Sequence, residues 1–517
     1  LEPRRHLGSR DALGPITHLL SNGRMFSLVT AAGGGGLRWR HLALTRWRDD
    51  AARDDYGCYL YVRSPDGALH SPTPQPCGRG SGYVEFFEDR ARYLRRHGSL
   101  ETHIEVFVSP EDDVELRRVR LANRGSTTLR FDLTTYAEVV LAPQAADEAH
   151  PAFSNLFIET VADTDLRALL FHRRSRAPGE TSPWLVHFSI GDDGEFDYET
   201  DRMAFIGREH TVHRPAACVG QARLGRSAGR VLDPVAALRV AVTLEPGETL
   251  ERCFAFAVAP DREAIAGIVA KYRFPEVIER ASRLSWTYSQ VQLRQLALGP
   301  RRANVLQNLA RHLVYTLART DERARAQLVD RDHLWRFGIS GERPLILMQL
   351  VTDAGVELVR ELARAREYWR YKGLGVDIAV LHNEPPSYQQ PLHRLLEGYA
   401  LTPSGDTTAV ASDLFVIHAH RLDAHCLASL KRCARLTLNA DGKSLRELFG
   451  TITATPEVAR TAVRAPRLPA PVDTRQRAPL AHNGLGGFSA DGREYRIDLP
   501  PGGATPLPWI NVIAQRR

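Results

Sequence analysis

Glu101-Thr-His-Ile-Glu-Val-Phe-Val108, a polar break, then Val114-Glu-Leu-Arg-Arg-Val-Arg-Leu121: this stretch decides the first half of the fold. Apolar and polar side chains alternate with a period of two, the signature of a strand with two unlike faces. Asn123-Arg-Gly125 turns the chain, and Leu129 to Leu141 repeats the pattern over a longer run. Further out, Val62 leads into Pro65-Asp66-Gly67, and Val235 to Leu244 closes at Pro246-Gly247. Short strands joined by polar turns over residues 15–260 predict an antiparallel β super-sandwich. Each strand of a two-layer sandwich buries one face, so the alternation is what that architecture requires.

Beyond residue 260 the period changes. Residues 261–330 predict a helical linker, with helices over 262–272, 275–298 and 302–320 and a break at Gly299-Pro300. Residues 331–445 then alternate. Strands at 345–350, 376–381, 414–418 and 436–438 are separated by helices over 355–371, 387–400 and 423–433. Buried-looking strands alternating with helices predict a parallel α/β domain. Residues 446–482 are rich in Pro, Ala and Arg and read as a linker. Residues 483–517 are again strand-like, as in Asp491-Gly-Arg-Glu-Tyr-Arg-Ile497, and are expected to open a second β-sandwich that is incomplete here. The fold class is therefore multidomain α+β.

The chain carries 68 basic and 61 acidic residues, a net +7. Its arginines are interleaved with acids, as in Arg46, Arg48, Asp49, Asp50, Arg53, Asp54 and Asp55, and lysine stands only at positions 271, 372, 431 and 443. Phosphate-tracking surfaces need one sign of charge on one face, so no nucleic-acid partner is expected. The six cysteines form no C-x-x-C pair and read as small buried hydrophobes in a reducing compartment. No apolar run reaches the roughly 18 residues that span a bilayer. The chain opens on Leu1 without a secretory n- and h-region, so it is expected to be a soluble piece of a larger protein.

A second stretch bears on function: Asn22-Gly-Arg-Met-Phe-Ser-Leu-Val-Thr-Ala-Ala-Gly-Gly-Gly-Gly-Leu-Arg-Trp39, continuing to Leu44-Thr-Arg-Trp-Arg-Asp-Asp50. Glycines let a backbone turn sharply and approach a ligand. Sugars are held by aromatic planes and by hydrogen bonds to charged groups, which Trp39, Arg46, Trp47 and Asp50 supply. A glycine hairpin with two core tryptophans explains the same residues.

This segment resembles the opening of the N-terminal β-sandwich of glycoside hydrolase family 94, the group of cellobiose phosphorylases and cyclic β-1,2-glucan synthases. The resemblance rests on Trp39, Leu42, Ala43, Thr45 to Arg48 and Asp50, then on Tyr136-Ala-Glu-Val-Val-Leu141, Ala149-His-Pro-Ala-Phe-Ser-Asn-Leu-Phe157 and Tyr198-Glu-Thr-Asp-Arg-Met-Ala-Phe-Ile-Gly-Arg208. Leu334 to Leu347, Glu367-Tyr-Trp-Arg-Tyr-Lys-Gly-Leu-Gly-Val-Asp377 and Asn483-Gly-Leu-Gly-Gly-Phe-Ser489 resemble the synthase branch. The sequence departs from the family pattern where Gly36-Leu37 replace a Tyr-Ser pair and His41 replaces an Asp. The resemblance puts the general-acid Asp in a helical barrel to which no segment here corresponds. It implies a non-catalytic carbohydrate-binding and scaffolding portion of a cyclic β-1,2-glucan synthase, supporting a phosphorylase-like module on the cytoplasmic side of a bacterial inner membrane. The implied partners are a β-1,2-glucan or oligosaccharide and the remaining domains of the parent. An active phosphorylase or transglycosidase fragment, and a purely architectural module, stay open as alternatives.

The expected sugar contacts are Trp39, Arg46, Trp47, Asp50 and His150, with no catalytic residue, cofactor or metal. Glu138, Asp147 and Glu148 near His150 form the best carboxylate cluster, with solvated loop acids and a capping histidine as the plainer expectation. Glu342 and His382-Asn-Glu-Pro-Pro386 flank the α/β strands, whose carboxyl ends are where such sheets bind ligands. No phosphate-cradling motif accompanies them, and a structural spacer is expected. His418, His420 and His425 are expected on a solvated face, and Gly33–Gly36 is not expected to be a phosphate nest because a strand follows it.

Overall fold

The computed structural model describes residues 4–8, 16–50, 53–78, 80–175, 182–191, 194–220, 223–315, 332–350, 353–385, 387–400, 413–448, 480–499, 505 and 509–510. Among these, residues 5–259 form two antiparallel sheets of nine strands each. The middle of the first sheet is Leu100–Val108 against Val114–Asn123, which pairs in turn with Thr249–Ala259. The second is built around the 15-residue strand Leu129–Pro143, which pairs with Pro234–Leu244, Tyr59–Arg63 and Leu42–Thr45. Ile104, Val106, Val119 and Leu121 meet Leu133, Ala137, Val139 and Val240 between the sheets. The super-sandwich is as the sequence predicts.

Its burial differs from expectation. In Leu100–Val108 His103 alone is exposed. The opposite side chains, Phe107, Val114, Leu116 and Phe188, form a second core with Ile265, Val269, Tyr272 and Ile278. The helices Arg262–Tyr272 and Pro275–Gln295 thus make a third layer, and the centre of the first sheet is covered twice. Charged residues at the margin of that outer face pair with one another. Glu105 accepts from Arg90 and Arg92 at 3.0 and 2.8 Å.

The next helix, Pro300–Val314, ends earlier than the predicted Thr320, and residues 316–331 lie outside those described. It seals the edge strand Thr17–Ser21: Gln307 accepts from the Leu19 N–H at 3.0 Å and donates to the Leu19 carbonyl at 2.9 Å. A side-chain amide here replaces the strand neighbour that the edge lacks.

The α/β region is parallel throughout, in the order Leu414–His418, Asp377–His382, Leu345–Leu350, Ala434–Ala440. The first strand in sequence is central; the chain steps outward twice and then crosses to the other side. Helix Val356–Tyr371 buries Leu358, Leu362, Ala365 and Trp369 at three- and four-residue spacing against this sheet and the Pro300–Val314 helix. The end of that helix is fastened to the sandwich. Ser21 Oγ donates to the Tyr371 carbonyl at 2.9 Å, Lys372 Nζ lies 2.8 Å from Glu88, and Tyr368 donates to the same carboxylate at 3.0 Å. Gly373, at φ +82°, lies so close to Phe26 that a Cβ would sit 2.4 Å from its ring.

Residues up to Ala454 form one compact unit and Thr455–Arg517 another. In the second, Gly486–Phe488 pairs antiparallel with Tyr495–Ile497, and Tyr495 stacks on Trp509. Most of the expected 446–482 linker lies outside the described residues.

Candidate functional site

Side chains from the 138–155 region and from Asp233 converge on Arg46, which follows the strand Leu42–Thr45. Its Nε and Nη2 donate to Asp147 at 3.0 and 2.8 Å, and Nη1 donates to Glu138 at 2.6 Å. Nη2 also reaches Asn155 at 3.2 Å, and Asp233 stands 3.7 Å from Nη1. Glu138 comes from the long strand, Asp147 from helix Gln144–Ala149 and Asn155 from helix Pro151–Asn155. Arg202 opens helix Arg202–Ile206 and donates to the other Glu138 oxygen at 2.9 Å. The long strand bulges between Val139 and Ala142, with Leu141 at φ +47°. Beside the bulge, the Arg46 N–H still bonds the Glu138 carbonyl at 2.9 Å.

Arg46 is only 8% exposed. Burial by itself raises the carboxyl pKa of Glu138, but Arg46 and Arg202 outweigh it and hold the group below the ordinary carboxylate range. Burial and the nearby Glu138 charge raise that of Asp233. The acids are therefore neither solvated nor in loops as expected: Asp147 is buried and Glu138 lies within a strand. Glu148 is solvated as expected but lies in helix Gln144–Ala149 and not in a loop; it accepts from Gln144 at 2.8 Å.

A hollow of about 690 Å³ opens over this network, lined also by Arg48, Phe153 and Leu232. Phe153 is 52% and Leu232 75% exposed. A neighbouring hollow of about 350 Å³ shares Tyr56, Glu138 and Arg202 and is lined by Asp50 and His210. Apolar faces thus stand beside charged hydrogen-bonding groups. That is the combination a sugar ring requires.

The five expected contact residues do not share one place. Arg46 lies in the network, and Asp50 lines the adjoining hollow. His150 is exposed at the junction of the two short helices, its N–H on the Ala146 carbonyl. Trp47 turns into a different cleft of about 650 Å³, edge-on to Tyr315 at 5.7 Å, with its indole nitrogen buried and, among the described residues, unpartnered. Trp39 donates to Asp113 at 2.7 Å and carries Arg40 over its ring. Arg202, Asn155 and Phe153 sit inside stretches that carry the family resemblance, yet nothing in their local pattern marked them. Asp233 has no sequence signal at all.

The glycine loop serves the chain itself. The Gly33 and Gly35 N–H groups bond the carbonyls of Thr30 and Tyr56, and that of Gly34 bonds Thr30 Oγ1. A Cβ on Gly35, at φ +133°, would lie 2.0 Å from the Leu28 carbonyl, and one on Gly36 would lie 2.7 Å from Trp47 Cβ. The loop's occupied donors leave no anion nest.

In the α/β region, Glu342 precedes its strand and so lies at the amino end of the sheet, while His382 closes its strand at the carboxyl end. His420 and His425 are exposed as expected, but His418 is 5% exposed and not on a solvated face, because it ends a strand beneath helix Pro391–Ala400. Among the described residues, no helix is long and apolar enough to cross a membrane.

Residues 5–275, more than half of the chain, match the glycosyl hydrolase 94 supersandwich domain. The chain belongs to that family. It is also 31% identical over 524 aligned positions to the cyclic beta-(1,2)-glucan synthase NdvB of Rhizobium meliloti (strain 1021), covering 97% of this chain and 18% of that protein. The chain therefore spans less than a fifth of the length of that relative. Among solved structures, a putative kojibiose phosphorylase from the human microbiome aligns over 55% of this chain and 37% of its own, at 6% identity and TM-score 0.33. A bacterial glucoamylase complexed with acarbose aligns over 60% and 42%, at 9% identity and TM-score 0.33.

Proposed function

We propose that this supersandwich chain is a carbohydrate-binding and scaffolding portion of a cyclic β-1,2-glucan synthase, and that a glucan segment lies in the hollow over Arg46. The reading is supported by the meeting of four separate family-like stretches beneath a surface of Phe153 and Leu232. Its volume falls within the roughly 300–1,000 Å³ usual for ligand pockets. In this role Arg46 is a positioning residue: it pairs with Glu138 and Asp147 and fixes both in place, while Phe153 offers a sugar its ring face. The phosphorylase-like module it supports, and a place on the cytoplasmic side of an inner membrane, belong to the same proposal.

Calorimetric titration of the chain with β-1,2-gluco-oligosaccharides tests it. Binding that is lost in Phe153→Ala supports the hollow; binding that survives there but disappears in Trp47→Ala moves the contact to the other cleft and overturns it. Release of glucose 1-phosphate from glucan and phosphate would overturn the non-catalytic assignment. A second reading, a purely architectural clasp, is favoured by one observation: all three guanidinium nitrogens of Arg46 already have partners. Absence of any binding heat would establish it.

A further inference from the structure

At the carboxyl end of the parallel sheet, His382 and His418 are register partners on adjacent strands, so their rings stand side by side on one face. Their centroids are 4.4 Å apart. His393, from helix Pro391–Ala400, stacks on His418 at 4.3 Å and places its Nδ1 2.9 Å from His382 Nε2. A nitrogen from each of the three rings lies within 4.8 Å of the other two. His382 is wholly buried and His418 is 5% exposed, and among the described residues Nδ1 of His418 has no hydrogen-bond partner.

A buried imidazole nitrogen without a partner costs on the order of 1–3 kcal/mol, and three rings facing one another cannot all satisfy their lone pairs mutually. Burial, then the neighbouring His418 and His393, push the pKa of His382 down to about 4, and His418 shifts the same way through burial and His393. Burial thus favours the uncharged form of His382 and His418, whose ring lone pairs can serve an acceptor of electron density. The arm that carries His393 is also fixed. Glu384, two residues beyond the strand, accepts the N–H groups of Leu392 and His393 at 2.9 and 2.8 Å, and Glu397 stands 3.3 Å from the far nitrogen of His393. A carboxylate on the outer nitrogen of a ligand histidine is the usual way such a ring is oriented.

We propose that His382, His393 and His418 form a binding site for a divalent transition-metal ion, with Zn²⁺ the best fit. Three imidazoles match its borderline softness and leave one coordination position for water or a ligand oxygen. Zn–N bonds of about 2.1 Å put tetrahedral ligand nitrogens about 3.4 Å apart, between the present close pair and the outer limit of the cluster. The ion replaces the proton shared by His382 and His393. That proton moves to Nδ1 of His382, and the Glu384 N–H now 3.4 Å from that atom turns away. A hydrogen-bonded histidine pair packed under a third ring is the plain alternative.

The test uses the full chain without a polyhistidine tag, stripped with a chelator and titrated with Co²⁺ and Zn²⁺. The expected result is a single equivalent of Co²⁺ with tetrahedral visible bands, displaced by Zn²⁺, and thermal stabilisation on loading. His393→Gln, the least buried of the three, should weaken binding by at least about tenfold with an unchanged far-ultraviolet dichroism spectrum, as expected for loss of a protein ligand. His425→Gln, an exposed histidine outside the cluster, should bind as the parent does. If the parent takes up no stoichiometric metal, or if His393→Gln binds as tightly as the parent, the site does not exist. His418→Gln is the stronger perturbation, and the His393 variant decides the matter should His418→Gln fail to fold.

Discussion

The Arg46 network in the sandwich and the histidine cluster in the α/β region are both buried polar assemblies, and they are solved in opposite ways. Around Arg46 each charge meets an opposite one, with Glu138 taking Arg46 and Arg202 and Asp147 taking Arg46 and Arg48. Around His418 the groups are alike, three imidazoles facing one another, and Nδ1 of His418 has no partner among the described residues. A saturated ion network is stiff and has little left to offer a ligand beyond its shape, whereas an unsaturated cluster of one chemical type offers its lone pairs. On the two proposals made above, the first would act through its shape and the second through its affinity for an ion.

The largest effect should come from breaking the saturated side. Arg46→Met leaves Glu138 and Asp147 buried without their cation, and removing one partner of such a pair typically costs about 3–5 kcal/mol. Denaturant unfolding should show a loss of that size. A loss under about 1 kcal/mol would mean that the carboxylates find water or Arg202 and Arg48 suffice, and the network would no longer count as a rigid base. The same substitution logic on the unsaturated side predicts the reverse. In metal-free protein, His418→Phe replaces a ring whose Nδ1 has no partner among the described residues, and stability should change by less than about 1 kcal/mol or rise.

A histidine outside both assemblies separates the two principles by pH. His187 is buried in the sandwich with both nitrogens partnered, Thr135 at 2.9 Å and the Ala255 carbonyl at 3.0 Å, and burial pushes its pKa to about 3. Its folded pKa lies below the unfolded value of about 6.5, so the unfolded chain binds a proton first. Stability is complete above that value and declines as pH falls toward about 3. One such group gives a slope of up to about 1.4 kcal/mol per pH unit. Glu138, held low by its arginines after opposing its burial, loses its contribution only below the ordinary carboxylate range. Unfolding curves from pH 7 to 4 should therefore steepen through His187, and His187→Gln should flatten them. An unchanged slope in that variant would assign the acid sensitivity elsewhere.

The architecture was legible because periodicity is a local property of sequence. The two-residue alternation of 101–121 and the strand–helix alternation of 345–440 each specify how an element meets its core. What escaped was set by elements that meet across long separations. Double burial of Leu100–Val108 depends on helices more than 150 residues later, which its own charged residues do not announce. The Arg46 network joins residues 46, 138, 147, 155, 202 and 233, and the histidine cluster joins 382, 393 and 418. Spacing had grouped His418 with His420 and His425, both exposed, because it could not show that helix Pro391–Ala400 closes over the strand end. The glycines misled in the other direction: the sequence suggested room for a ligand where Leu28 and Trp47 fill the space.

The smallest expected change in stability belongs to the residue on which the functional reading leans most. Phe153 is half-exposed, packs edge-on against Phe157 at 5.3 Å, and stands at the mouth of the hollow with no polar atom to satisfy. Surface substitutions of this kind usually fall within about 0.5 kcal/mol, so Phe153→Ala should unfold close to the parent. An aromatic plane matters to a sugar through the area it removes from water, and that area is intact only in the parent. Measured together, unchanged unfolding and lost glucan binding would make Phe153 a recognition surface resting on a rigid ionic base. Lost stability with unchanged binding would make it one more packing residue, and the hollow would then be a by-product of how four stretches of chain were joined.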